Sequence, residues 1–213
     1  MKRLALLIAA ALLASGPAVA QFTKEKMSWH QQPKRWKVEG QKLVITAEPK
    51  TDFWQKTFYG YSTDNGHFYY TDYPGDFEAT VKVTGTYKDL YDQAGLMIRT
   101  DYKNWIKSGV EFANGVTNIS AVYTRDFSDW SVIALSDQPT SVYLRLVRRN
   151  DSVELSYSLD GKNYILQRIG YFPPKVKARI GVMAAAPEGK GFSVTFENFL
   201  VKKSEPLPAQ KKS

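Results

Sequence analysis

Trp105, Lys107 and Glu111 set an indole, an ammonium and a carboxylate at positions i, i+2 and i+6 of one alternating run, Trp105-Ile106-Lys107-Ser108-Gly109-Val110-Glu111-Phe112. Successive side chains of a strand point to opposite faces of a sheet. These three therefore share one face, and Ile106, Val110 and Phe112 share the other. An indole can cover the apolar face of a sugar ring while the two charged groups hydrogen-bond its hydroxyls. The same residues could instead form a surface ion pair beside a tryptophan packed under a loop. Arg99 and Tyr123, on neighbouring strands, are expected to share this face, with Arg125 on the same side as Tyr123. Tyr143 and Arg145 oppose the stripe Val142, Leu144, Leu146 and are further candidates for an exposed concave face. Asp129 and Trp130 fall in a polar turn that either shapes the loop or meets a ligand. Trp54 lies with Tyr59 and Tyr61 in an aromatic-rich segment that could rim a groove, although Trp54 could equally plug one end of the fold.

Other chemistries find less support. His30 and His67 are the only histidines and stand 37 residues apart, whereas a zinc site needs three or four convergent ligands. No Gly-x-Ser-x-Gly elbow is present, and no phosphate loop or dinucleotide fingerprint. Glycoside hydrolysis needs two carboxylates astride the bond. Glu111 with Asp101, Asp126 or Asp129 could supply them, which leaves a hydrolase or lyase using Glu111 as acid/base as an alternative to simple binding. Nucleic acid is not expected as a partner, because the positive charge is scattered.

The elements that must position these residues read as strands. Among the 213 residues are 13 Tyr, 11 Phe and 5 Trp, and aromatic residues favour strands. Apolar alternation marks 41–47, 77–85, 93–100, 105–112, 118–125, a short run at 130–134, then 142–147, 153–159, 163–169, 179–185 and 191–201. Asn114-Gly115 and Asp160-Gly161 supply tight turns between such runs. Residues 51–77, punctuated by Asn65-Gly66 and Pro74-Gly75, read as loops with one or two short strands. No 3.6-residue apolar period persists. About a dozen short strands predict an all-β antiparallel sandwich.

Residues 1–20, MKRLALLIAAALLASGPAVA, read as a cleavable leader, with a basic start, an apolar run and a small-residue end at Ala18-Val19-Ala20. The apolar run is too short for a membrane span, and the absence of cysteine removes any lipid-attachment thiol. A secreted or periplasmic mature chain is expected to begin at Gln21. Loss of Lys2 and Arg3 lowers the formal charge from +8 to +6. One sandwich is expected over 21–201, followed by a basic, disordered tail over 202–213. Without cysteine there is no disulfide framework, and no cofactor is implied. The oligomeric state is left open.

Several blocks together carry a resemblance: TDFWQKT at 51–57, DNGHF at 64–68, GDFEATVKVTGTY at 75–87, LYDQAGLMIRTD at 90–101, NWIKSGVEF at 104–112 and SDWS at 128–131. In this order and spacing they resemble an exported, bacterial-type branch of the concanavalin A-like domain family of unknown function 1349, which includes regulation-of-enolase-type domains. The likeness spans roughly 28–201. It implies a jelly-roll sandwich of the concanavalin A-like lectin and glucanase type, with a concave sheet facing solvent, and it implies no activity. A more distant likeness to the jelly-roll domain of β-xylosidases leans towards carbohydrate by fold analogy alone. The Glu-x-Asp-x-x-Glu motif of jelly-roll glucanases is absent. A structural calcium ion recurs in such sandwiches, and Glu197 is the candidate carboxylate. A glycan or other small ligand on the concave sheet is thus the leading expectation. An envelope protein–protein interaction module using the same aromatic face is the remaining alternative.

Overall fold

The alternating apolar residues become the inward faces of two seven-stranded antiparallel sheets. The structure, a computed structural model, describes Phe22 and residues 26–205. The leader and residues 206–213 of the expected tail lie outside the described residues. Sixteen strands follow in chain order: β1 (Ser28–His30), β2 (Trp36–Glu39), β3 (Lys42–Ala47), β4 (Phe53–Gln55), β5 (Ser62–Asp64), β6 (His67–Tyr73), β7 (Phe77–Gly85) and β8 (Gln93–Arg99). They continue as β9 (Asn104–Ala113), β10 (Val116–Arg125), β11 (Phe127–Ala134), β12 (Ser141–Arg149), β13 (Ser152–Ser158), β14 (Ile165–Tyr171), β15 (Ala178–Ala185) and β16 (Phe192–Lys203). One sheet has the order β1-β6-β15-β8-β9-β10-β11 and the other β14-β13-β12-β7-β16-β3-β2, while β4 and β5 form a separate hairpin. This is the all-β antiparallel sandwich expected. Among the described residues no helix is long and apolar enough to cross a membrane.

Three local expectations are corrected. Asp129 and Trp130 sit inside β11, not in a turn, because the turn is made by Asp126 alone at φ 58° and the chain re-pairs at once, Arg125 opposite Phe127. The Asp160-Gly161 turn is a six-residue connection between Ser158 and Ile165. There the Asp160 carboxylate accepts the Lys162 and Asn163 amides at 2.8 Å each, and these bonds hold its pKa well below the usual carboxylate range. Finally, β16 runs to Lys203, so Lys202 and Lys203 belong to the sandwich, paired with Glu78 and Phe77.

The core lies between the sheets. In β7, Phe77, Ala79, Val81 and Val83 are buried while Glu78, Thr80, Lys82 and Thr84 are half-buried on the outer face. The second sheet thus has one wet face, as its alternation implies. The first sheet differs. Every residue of β8 is buried, and nearly every residue of β9. On its outer face Phe68, Met97, Trp105, Val122 and Met183 form a second apolar cluster with Phe53 and Trp54 of β4, which covers them. Burying a large apolar side chain contributes roughly 1.5–3 kcal/mol, so this layer is a substantial part of the fold.

On that face Gly95 of β8 and Gly109 of β9 pair directly. A Cβ on Gly109 would collide with the Ala94 carbonyl oxygen. Neither central strand can move aside, because each is paired on both edges. Gly109→Ala is therefore expected to lose about 1–3 kcal/mol, the usual cost of forced overpacking, read as a lower urea midpoint with an unchanged m-value.

Candidate functional site

The strand register fixes which side chains share the outer face of the first sheet. Asn114 at φ 56° and Gly115 at φ 76° make a two-residue turn of the twist that hairpins favour. Through it β9 and β10 pair with Lys107 opposite Val122 and Trp105 opposite Thr124. Gln93 and Met97 of β8 lie opposite Glu111 and Lys107, and Trp130 of β11 lies opposite Val122. Trp105, Lys107, Glu111, Arg99 and Trp130 thus point to one side, as expected for the first four. The expectation of an exposed face is corrected. Trp105 is 1% exposed and Lys107 and Glu111 5% each, because β4 docks across the sheet above them.

Specific contacts hold β4 in place. The Lys107 Nζ donates to the Phe53 carbonyl at 2.9 Å and to the Gln93 Oε1, and lies 3.8 Å from the Asp52 carboxylate. The Gln55 amide donates to the Ser128 Oγ at 2.9 Å, and its side chain to the Tyr102 carbonyl at 3.1 Å. At the base of the hairpin, the Arg99 guanidinium grips Asp64 through two parallel bonds of 2.9 and 3.0 Å. Arg99 is thus a structural partner of β5. Trp54 is buried over the second apolar cluster rather than standing as a rim, and its indole donates to the Thr57 carbonyl at 2.9 Å.

Beyond β4 the hairpin tip, residues 56–61, is tied largely to itself. The Lys56 amide donates to the Tyr61 carbonyl and the Gly60 amide to the Lys56 carbonyl, both at 2.7 Å. Lys56 and Phe58 both hold positive φ, 59° and 64°, a conformation that costs a non-glycine residue roughly 1–2 kcal/mol. Phe58 is 93% exposed. The tip meets its surroundings through Tyr59, whose hydroxyl bonds the Tyr91 hydroxyl at 2.7 Å and whose ring edges onto Trp54 at 5.6 Å, and through the Lys56 ammonium, 4.9 Å from the Phe127 ring centre on β11.

Beneath this tip is a small chamber. Lys107, Glu111, Gln93, Asp52 and Val122 form its floor, Trp54 and Trp130 its walls, and Tyr59, Tyr61 and Tyr91 its mouth. Its free volume is about 20 Å³, room for about one water molecule. The Trp130 indole donates to the Glu111 Oε2 at 2.9 Å and also to the Ser120 Oγ at 3.1 Å. Desolvation pushes the Glu111 carboxyl pKa up, against the pull of Lys107 and of its hydrogen bonds. Desolvation likewise pushes Lys107 down, against the pull of Asp52 and Glu111. A carboxyl and an amine whose environments bring their pKa values together are equipped to exchange protons with a bound ligand.

Glu111 holds its proton more tightly in the native state than in the unfolded chain. Native stability therefore falls as the pH rises from 4.5 through the raised folded value. Glu111→Gln has no such slope. Its stability relative to the parent is expected to improve as the pH rises above about 4.5, measured by urea unfolding at each pH.

Other expected site residues are placed elsewhere. Tyr123 pairs with Ile106, faces the opposite side from Trp105, and donates its hydroxyl to the Val153 carbonyl at 3.0 Å. Arg125 shares that side, with its guanidinium over the Tyr171 ring. Asp129, opposite Tyr123, pairs with Arg168 at 2.9 Å. Tyr143 and Arg145 lie on β12 in the second sheet, with Arg145 over the Tyr164 ring at 4.3 Å, so they do not share a face with Trp105, Lys107 and Glu111. Glu197, the calcium candidate, sits between Lys42 at 2.9 Å and Lys82 at 3.2 Å, a setting that repels a cation. Among the described residues no group of three or more His, Asp or Glu side chains could hold a metal ion. The buried His67 is fully bonded, to the Gln31 carbonyl and the Glu48 amide. Asp52, Gln93, Tyr91 and Ser120 escaped the sequence reading. Gln93 was reachable, since it shares parity with Met97 and Arg99 on β8, whereas Asp52 reaches the site only through the fold.

Comparison with known proteins gives a consistent picture. Residues 29–204 match the model for DUF1349, a protein family of unknown function. The chain is 37% identical over 172 residues to "Regulation of enolase protein 1" of Saccharomyces cerevisiae, covering 81% of this chain and 87% of that protein. The crystal structure of a functionally unknown protein from the same yeast superposes with a TM-score of 0.83 at 35% identity, covering 85% and 98% of the two chains. The GH43 protein BlXynB of Bacillus licheniformis superposes at 0.69 with 14% identity, over 87% of this chain and 38% of that one. Lectin I-B4 of Griffonia simplicifolia superposes at 0.54 with 12% identity, over 85% and 94%. The last two show the fold alone, a sandwich consistent with the concanavalin A-like jelly roll. The curated relatives matched are fungal, so they lend no support to a bacterial-type branch.

Proposed function

The chain belongs to the DUF1349 family, and we propose that it is a saccharide-binding module whose ligand enters the chamber beneath the 56–61 tip. One observation carries this reading: a buried Lys107, Glu111 and Gln93 face a chamber walled by Trp54 and Trp130, with Tyr91 at its mouth. Buried charges are a poor source of stability, since apolar residues of similar volume commonly do as well or better. Aromatic walls with a few convergent polar groups are instead the usual make-up of a small-molecule site. The chamber is too small for a sugar as it stands, so entry requires the tip to swing away. The polar ties to break are the bond between the Tyr59 and Tyr91 hydroxyls and that from the Trp54 indole to the Thr57 carbonyl, and a neutral hydrogen bond contributes only about 0.5–1.5 kcal/mol. In the same reading residues 1–20 direct export, and the mature chain meets glycans outside the cytosol.

The test is tryptophan fluorescence and thermal shift of residues 21–213 against a panel of neutral and acidic glycans, with reducing ends assayed in the same wells. A saturable response that Tyr59→Ala strengthens and Glu111→Gln weakens supports the module. Trp54 and Trp130 are the reporters. No response in either the parent or the open-mouthed Tyr59→Ala variant overturns it. The raised pKa of Glu111 favours one second reading, a hydrolase or lyase with Glu111 as acid. New reducing ends that disappear in Glu111→Gln would establish that reading in place of the first.

A further inference from the structure

Residues that point away from the chamber converge on a second groove. It lies where the ends of β10, β11 and β14 meet at the open side of the sandwich, and its volume is about 380 Å³, within the range of small-ligand sites. Arg125 and Tyr123 reach it from β10, Phe127 and Asp129 from β11, and Arg168 and Tyr171 from β14. The electrostatics are uneven. Arg168 is neutralised by Asp129 at 2.9 Å, and the nearby Lys103 by Asp126 at 3.3 Å. Arg125 has no carboxylate within ion-pair distance among the described residues; its guanidinium stands 4.8 Å from the Tyr171 ring centre. Among the side chains lining the groove one positive charge is therefore left over, on the side chain best shaped to grip a planar oxyanion with two parallel N–H donors. The Lys56 ammonium stands outside the lining, 4.9 Å from the Phe127 ring centre.

The groove also offers ring platforms. Phe127 is 59% exposed and Tyr171 48%, and they flank Arg125 on the two edge strands. Gly170 preserves the shape, since a Cβ there would collide with the Tyr123 ring. We propose that this groove binds a ring-bearing monoanion, a uronic acid residue of a glycan, with Arg125 taking the carboxylate and Tyr171 or Phe127 stacking on the ring. The planar guanidinium fork of Arg125 matches the two oxygens of one carboxylate. The site is separate from the chamber beneath the tip and stands whether or not that chamber binds sugar.

Isothermal titration calorimetry with three probes tests it: glucuronosyl-xylose, its neutral counterpart xylobiose, and glucose 6-phosphate. The uronate disaccharide is expected to bind at least about tenfold more tightly than xylobiose, the scale of one charge-assisted hydrogen-bonded pair. Arg125→Ala should erase that difference, and Arg125→Lys should restore part of it. Arg125 is exposed at the end of its strand, so both variants should fold, which circular dichroism checks. Tyr59→Ala, which alters the chamber, should leave the preference intact, so failure here is distinguishable from failure there. Equal affinity for the charged and neutral disaccharides, a preference that survives Arg125→Ala, or tighter binding of glucose 6-phosphate would each overturn the assignment.

Discussion

Lys107→Met is expected to lower the unfolding free energy by about 3–5 kcal/mol, and adding Glu111→Leu to that variant is expected to return part of the loss. The single change removes the cation facing Asp52 and Glu111 and strips a donor from the Phe53 carbonyl and the Gln93 side chain. Glu111, already pushed towards its neutral form by burial, then lacks the opposing charge that eased its ionisation. Removing the carboxylate as well takes away that unmet charge and adds apolar contact with Val122 and Trp130, which line the same chamber. The double-mutant cycle, by urea unfolding at neutral pH, isolates the coupling. If the pair existed for stability, the double variant would stay about as damaged as Lys107→Met alone. Recovery of stability together with loss of ligand response is the outcome that matches a pair retained for binding. Strict additivity of the two losses would contradict it.

Much of this arrangement is present in the alternation of the chain. The parity of Trp105, Lys107 and Glu111 against Ile106 and Val110 holds in the structure because β9 is regular throughout its length. The inward stripes of β7 and β12 hold for the same reason, while on β13 Val153, Leu155 and Tyr157 are buried but the strand ends at Ser158 and leaves Leu159 exposed. The misplacement of Tyr123 and Arg125 is a register error, and the turn contains the information that corrects it. A two-residue Asn114-Gly115 turn pairs Ala113 with Val116, and counting back from it sets Tyr123 opposite Ile106, on the core side. A slip of one residue flips every side chain of a strand, so assigning faces strand by strand, without counting from the turn, could not succeed.

The cover over the first sheet is harder to read. Lys107 meets the Phe53 carbonyl across 54 residues of sequence, and nothing local to either residue specifies the other. A composition signal was nevertheless present. Met97, Trp105, Val122 and Met183 all fall on the outward parity of their strands and form one cluster. A face that met water would not repeat large apolar residues on four strands. Their presence implies a covering element, and the aromatic segment 51–77 is the part of the chain left to supply it.

The grip of Arg99 on Asp64 decides how much of that cover can move. The Arg99 side chain is 4% exposed and that of Asp64 23%, so Asp64→Ala leaves a buried guanidinium without its counter-charge, and a loss of about 3–5 kcal/mol is expected. That loss should appear in global unfolding rather than as an open hairpin. Lifting β4 would expose Phe53 and Trp105, each worth roughly 1.5–3 kcal/mol of burial, and would also break the Lys107 and Gln55 contacts. The hairpin base therefore stays docked when the latch is cut, and only the tip beyond Gln55, tied mainly through Tyr59, remains free to swing. Acrylamide quenching separates the two cases. In native Asp64→Ala, Trp105 should remain as protected as in the parent while the urea midpoint falls. Quenching of Trp105 under native conditions would mean that the whole β4–β5 hairpin is the moving part, and the entrance to the chamber would then be the full width of the covered sheet rather than the mouth at Tyr59.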